Sequence, residues 1–226
     1  MRQQSVVSLD PISVKRKKQD SPISRFFKTK RFGGKRMDNC PDFGHWLFVG
    51  RQGASKTSSA IWNYERLKKR WEKKGFKVRT FSNLGIGIPV DKMSLHEILV
   101  KLKYEKDIIN IFIIDEIQSY FPKDTKDKVT LQLIDALTGD FSQLRKRQAY
   151  VLSTAQVYGR LNKNLREQCL YMVDCKRSWN NKCINDFILG DDIICDDLGR
   201  WSGIPKFIYK HGLPKTKFDT HALILH

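Results

Sequence analysis

Twelve residues, Trp46-Leu47-Phe48-Val49-Gly50-Arg51-Gln52-Gly53-Ala54-Ser55-Lys56-Thr57, narrow the choice of fold more than any other part of the sequence. Four apolar residues suited to a buried strand run into a glycine-bearing turn, and a helical pattern begins straight after Lys-Thr. Strand, short loop and helix in that order make a cradle for an oxyanion, because backbone N–H groups and the helix N-terminus converge on it. On this reading Gly50, Arg51, Gln52, Gly53, Ala54, Ser55, Lys56 and Thr57 wrap the phosphates of a nucleotide. Lys56 reaches the outer phosphates and the Thr57 hydroxyl ligates Mg²⁺. The pattern departs from G-x-x-x-x-G-K-[ST] at one place, where Ser55 stands for a glycine. Gly53 then becomes the candidate for the permissive backbone position. A polar surface turn between a strand and a helix has the same look, so a second signal is needed.

That signal is Ile108-Ile109-Asn110-Ile111-Phe112-Ile113-Ile114-Asp115-Glu116. A β-branched run with one polar break reads as a parallel strand buried on both faces. Ligands of open α/β sheets bind beyond the carboxyl ends of such strands. Two acids at that end fit metal-assisted hydrolysis, with Asp115 toward Mg²⁺ and Glu116 orienting or deprotonating the attacking water. An ordinary strand end turning polar is the rival, and it weakens because the loop lies in the same chain.

Between these two stretches, Ile61, Tyr64, Leu67 and Trp71 recur at helical spacing, which predicts a helix over 57–74 with Gly75 as its stop. Arg66, Lys68, Lys69, Arg70, Lys73 and Lys74 give its outer face a basic character, either a solvated surface or one that meets DNA. A short strand is expected at Val78–Phe81 and an amphipathic helix around Met93, Leu95, Ile98, Leu99 and Leu102. Beyond the acids, residues 127–147 read as a helix with core positions Val129, Leu133, Leu137, Phe141 and Leu144, with Gly139 as a point where it can break. A strand at Tyr150–Thr154 then delivers Gln156, which would sit beside the γ-phosphate if this strand neighbours the one ending in Asp115. Leu170–Val173 suggests a further strand.

The 226 residues carry a formal net charge of +18. Half of it lies in residues 1–36, where eleven Lys or Arg face Asp10 and Asp20 alone. Apolar residues there are few and unpatterned, so 1–40 is expected to be a disordered basic arm, and 41–226 a single folded domain. So basic a balance favours a polyanion partner, most simply nucleic acid. No apolar run approaches the ~20 residues of a membrane span, and no signal-peptide core is present, so the expectation is a soluble protein of the host cytoplasm. The five cysteines form no C-x-x-C pair. Reduced thiols are preferred to a zinc site built from Cys175, Cys183, Cys195 and His211, whose spacings are irregular. From about residue 176 the sequence is hard to read. The pairs Asp191-Asp192 and Asp196-Asp197 flank Ile193-Ile194, which suggests exposed turns around a short strand or hairpin.

Taken together, the loop, the IIDE strand end, QLRKRQAYVLSTAQ and NLREQ resemble the HerA/FtsK superfamily of DNA-pumping ATPases. Within it the likeness is to viral packaging ATPases and to the zonular-occludens-toxin-like proteins of filamentous phages, and FDTH at 218–221 resembles a motif of the latter. The resemblance implies a RecA-like α/β core with a mainly parallel sheet, ATP and Mg²⁺ as ligands, and self-association into a ring. It implies translocation of genomic DNA, first as packaging into a capsid, with capsid or membrane-anchored assembly proteins as further partners. The alternatives are a filamentous-phage extrusion ATPase and a non-catalytic DNA-binding protein with a degenerate loop. It also implies an arginine supplied across a subunit interface, for which Arg145, Arg147, Arg160 and Arg166 are candidates, and a role for Gln156 in sensing hydrolysis. The sequence departs from the family's pattern at Ser55 and at Ala155, which interrupts the Thr-Gln pair.

Overall fold

A computed structural model describes residues 43–178, 180, 182–196 and 200–218. The basic arm, Cys40, Trp179, Asp197 and Asp219–His221 of the FDTH stretch lie outside the described residues.

The apolar runs form the strands expected of them. Strand β1 (Gly44–Val49) leads through the loop into helix α1 (Lys56–Lys73), followed by β2 (Lys77–Ser82), β3 (Ile88–Pro89) and α2 (Lys92–Lys101). Next come β4 (Ile108–Ile114), α3 (Lys128–Ser142), β5 (Ala149–Ala155), the short α4 (Lys163–Glu167) and β6 (Cys169–Arg177). The chain ends in β7 (Cys183–Leu189), a separate two-stranded ribbon of β8 (Ile194–Cys195) and β9 (Trp201–Ser202), and β10 (Phe207–His211).

Eight strands make one sheet in the order β10-β7-β6-β1-β5-β4-β2-β3. The block from β6 to β3 is parallel, and β7 and β10 extend it antiparallel. Strand β5 therefore lies between the loop strand β1 and the acid strand β4, pairing Phe48 with Thr154 on one side and Ile114 with Ser153 on the other. Both faces of this block are covered, which is why its strands are apolar throughout. Leu47, Val49, Phe112, Ile114 and Val151 face the layer containing α2 and α3. Their sequence neighbours Trp46, Phe48, Ile111, Ile113 and Leu152 face α1. Alternation of side chains along a strand makes the division. Burying each such large apolar side chain contributes about 1.5–3 kcal/mol.

Gly75, at φ 86°, closes α1 as expected: its N–H bonds Glu72 O and the N–H of Phe76 bonds Trp71 O. The expectation for 127–147 needs correction. Helix α3 passes through Gly139 unbroken but stops at Ser142, and residues 143–148 form turns. Val129, expected in the core, lies in the first turn on the outer side and is 72% exposed. Periodicity alone missed the stop because the turns still bury Leu144.

The antiparallel extension is pinned to α1 by a buried polar chain. Ser59 Oγ donates to Asn185 Oδ1 at 2.8 Å, and Asn185 Nδ2 donates to His211 Nε2 at 2.9 Å. Trp62 stacks on the His211 ring, and burial holds that imidazole's pKa below its ordinary value. The segment after β10 returns to the same helix, where Glu65 Oε1 accepts from the N–H groups of Lys215 and Thr216. Of the isoleucines between the acidic pairs, Ile194 is in β8, while Asp191 and Asp192 are exposed in a 3₁₀ turn. Phe207 and Tyr209 pack in the core beneath the sheet edge.

Candidate nucleotide site

The loop after β1 is compact because two backbone groups nearly touch. A Cβ at Gly50 would sit 2.8 Å from the carbonyl oxygen of Cys175, so nothing larger than glycine passes under β6. Gly53 and Ser55 both take left-handed backbone, at φ 79° and 63°. Gly53 therefore does not relieve Ser55. The serine adopts the glycine-like conformation itself, at a cost of about 1–2 kcal/mol.

Ser55 is also the N-cap of α1, and its side chain makes no capping bond. Among the described residues the other three α-helices have one, from Asp91, Asp127 and Asn162. Lys56 is buried, and its ammonium donates back to Arg51 O at 3.3 Å, so it lies along the inside of the loop. These groups make a concave, positively polarised turn.

Across from it the acids are organised by β5. Thr57 Oγ1 donates to Asp115 Oδ1 at 2.9 Å, and Thr154 Oγ1 donates to the same oxygen at 2.5 Å. Thr154 Oγ1 also accepts from the Glu116 N–H at 3.0 Å, so one hydroxyl fixes both acids. Glu116 takes left-handed backbone at φ 54° and ψ 47°, which breaks the strand's alternation and turns its carboxylate toward β5. There Gln156 Nε2 donates to Glu116 Oε1 at 3.2 Å, and Gln118 Nε2 donates to Oε2. At the end of β2, Asn83 accepts from Asp115 N–H at 2.9 Å and donates to Asp115 O at 3.0 Å, which locks the backbone of the acid.

Sequence reasoning missed Asn83, Gln118 and the double duty of Thr154. A polar residue just past the apolar part of β2 was the one available signal for Asn83. Nothing local marks Thr154, whose partners are fixed by the sheet order, while Gln118 meets Glu116 through the left-handed turn between them, which a strand-end reading does not anticipate.

The structure brings Gly50–Thr57, Asp115, Glu116 and Gln156 together and separates the arginines. Arg145 is exposed in the turn before β5. Arg147 Nη1 pairs with Asp140 at 3.1 Å and donates to Leu99 O at 2.5 Å, bonds made within its own chain. Both lie at the amino end of β5, about 20 Å of strand from the loop. Arg166 donates to Cys195 Sγ at 3.1 Å and covers the Tyr158 ring. Arg160 is exposed in the short turn that follows β5.

A magnesium ion fits the donors present. Two oxygens bound side by side in an octahedron at about 2.1 Å from Mg²⁺ lie about 3 Å apart, close to the spacing of Thr57 Oγ1 and Asp115 Oδ1. Both are hard oxygen donors. Among the described residues, no group of three or more His, Cys, Asp or Glu is placed to hold a metal. Cys195 sits on the small ribbon, while Cys175 and Cys183 lie in the main sheet with their thiols buried. Burial pushes the Cys175 thiol's pKa far up, so it stays protonated.

A parallel sheet with β5 between the loop strand and the acid strand, and a Lys-Thr loop opposite an Asp-Glu pair, decides the architecture. The fold is that of a P-loop NTPase with a RecA-like core.

No protein-family model matches the sequence, and no curated protein does. Among solved structures the chain is similar to the N-terminal domain of zonular occludens toxin from Neisseria meningitidis, at 16% identity and a TM-score of 0.49, covering 82% of this chain and all of that one. It is similar to the genome packaging NTPase B204 of Sulfolobus turreted icosahedral virus 2, solved with ATP-gammaS, at 12% identity and a TM-score of 0.48, covering 78% and 100%. A third is the cytoplasmic domain of the type VII secretion ATPase EccC of Thermomonospora curvata, at 9% identity and a TM-score of 0.48, covering 80% of this chain and 24% of that one. The first two come from the groups that the motifs resemble. Among the described residues no helix is long and apolar enough to cross a membrane.

Proposed function

We propose that the protein is an ATPase that couples hydrolysis to the translocation of DNA, and that the DNA is a viral genome being packaged. One observation carries the enzymatic half: Thr154 holds Asp115 and Glu116 together opposite the Thr57 hydroxyl and the uncapped N-terminus of α1.

On this reading the N–H groups of the loop and Lys56 hold the phosphates. Thr57 and Asp115 hold Mg²⁺, which neutralises charge on the outer phosphates when bound. Glu116 accepts a proton from the attacking water, and its carboxylate is kept in place by Gln118 and Gln156. The bond from Gln156 Nε2 to the Glu116 carboxylate supports a role for Gln156 in reporting hydrolysis to the rest of β5. Charge spreading over the transferred phosphoryl oxygens calls for a cation from a neighbouring copy in a ring. Arg145 and Arg160 are the exposed candidates, whereas Arg147 and Arg166 are engaged within the chain.

The net charge of +18, with its concentration in the first 36 residues, supports the DNA half. Packaging rests on the motif resemblance.

The test is ATP turnover of the full chain with and without DNA, alongside a mass measurement with nucleotide present. The expected result is turnover stimulated by DNA, lost in Lys56→Ala by about 10²–10³-fold, and a mass several times that of one chain. Turnover that DNA and Lys56→Ala both leave unchanged contradicts the proposal.

A further inference from the structure

Helix α1 has an outer face that the nucleotide site does not use. Its inner side, with Ile61, Tyr64, Leu67 and Trp71, is buried against the sheet. On the other side Trp62, Arg66, Lys69 and Lys73 recur at i, i+4, i+7 and i+11, which sets them in one line along the helix. Lys69 and Lys73 are exposed. The helix has two acids, and both are engaged. Glu72 lies 4.0 Å from Lys68 on the flank. Glu65 Oε1 accepts from the N–H groups of Lys215 and Thr216 and from Thr216 Oγ1. Glu65 stands one turn before Lys69, so these bonds bring the segment after β10 onto the same side of the helix. That segment adds Lys215 and Lys217, both exposed, to the basic surface.

The aromatic groups here are already occupied. Trp62 stacks on His211 with ring centroids 4.2 Å apart. The Arg66 guanidinium lies over Trp62 at 4.7 Å and over Tyr209 at 5.3 Å, so two rings brace it. The face therefore offers positive charge without open stacking platforms, which suits phosphates and not bases. A helix lying on a bilayer, by contrast, presents its apolar residues to the lipid. No large apolar residue of α1 is exposed.

We propose that Arg66, Lys69 and Lys73 of α1, with Lys215 and Lys217, bind the phosphate backbone of DNA without reading its sequence. The proposal rests on the DNA half of the proposed function and places a contact on the folded domain as well as on the basic arm. Each phosphate neutralised by a cation releases counterions, so such a contact shows itself in the salt dependence of binding.

The affinity of the full chain for duplex DNA, measured over a series of salt concentrations, tests this. One variant combines Lys69→Gln, Lys73→Gln, Lys215→Gln and Lys217→Gln. A matched variant removes four exposed lysines from the other side of the sheet, by Lys101→Gln, Lys103→Gln, Lys106→Gln and Lys126→Gln. The slope of log K against log salt is expected to shrink by about 0.9 for each exchange on the face, and so by about 3–4 in the first variant. In the second it should change by less than about 1. An unchanged slope in the first variant, or equal losses in both, overturns the proposal; the arm or net charge alone then does the binding, and the ATPase reading stands. A first variant that keeps its DNA slope but loses binding to phosphatidylserine vesicles gives the face to a membrane and overturns it too. If wild type binds no DNA, the DNA half of the proposed function falls together with this contact.

Discussion

Helices α1 and α2 both follow parallel strands, and they begin in opposite ways. Helix α2 starts with a complete box: Asp91 Oδ1 accepts from the Ser94 N–H at 2.8 Å, and Ser94 Oγ accepts from the Asp91 N–H at 2.8 Å. Helix α1 starts at Ser55, in left-handed backbone, with no capping bond from its side chain. A side-chain cap contributes about 1 kcal/mol and satisfies a helix N-terminus from within. Leaving it out gives up that stability and reserves the N–H groups and the dipole for an outside anion. The difference teaches that one end is built for stability and the other for binding. Ser55 and Glu116 both carry left-handed backbone, one at the end of the loop and one beside the acid that Thr57 bonds.

The contrast can be broken by giving α1 what α2 has. Ser55→Asp supplies a carboxylate where the phosphates are to lie, and titration is expected to find ATP binding weakened by at least about a hundredfold. Its melting temperature should not fall. Unchanged ATP affinity would mean that this N-terminus is not the phosphate site.

Asp91→Ala probes the other end. Denaturant unfolding should show a loss of about 1 kcal/mol, with ATP turnover unaltered. The hydrogen bonds from Ser94 hold the Asp91 carboxyl below its ordinary pKa. Its contribution is therefore present above the ordinary carboxylate range and is lost as pH falls through the lowered value. The variant should accordingly be less sensitive to acid than wild type over that window.

The smallest effect sharpens the comparison. Ser55→Gly removes the left-handed strain, and stability should rise by about 1 kcal/mol while ATP affinity changes by less than about threefold. A loss of stability on this change would show that the Ser55 side chain supports the loop in a way its missing cap bond does not reveal.

Much of the fold was legible in the sequence because parallel strands buried on both faces must be continuously apolar. Hence Trp46–Val49 and Ile108–Ile114 read as strands at sight, and the loop and acids fell at their carboxyl ends. The sheet order was not legible. Placing β5 between β1 and β4 is a long-range choice, and it assigns Thr154 to both acids and Gln156 to Glu116. Asn83 escaped for the same reason. The arginines show the limit of a motif: the resemblance sets Arg145 and Arg147 just before the strand that leads to Gln156, and that position is the end of β5 away from the loop. The antiparallel end of the sheet was least readable, since its polar chain ties Asn185 and His211 to Ser59, which lies more than a hundred positions away.

Glu116→Gln, assayed for Mg²⁺-dependent ATP turnover beside ATP affinity, tests most directly whether the loop and the acids form one hydrolytic site. The exchange keeps the side chain's size and removes its ability to take a proton. The expected result is ATP affinity within about threefold of wild type and turnover reduced by about 10²–10⁴-fold. Turnover equal to that of wild type would contradict the account.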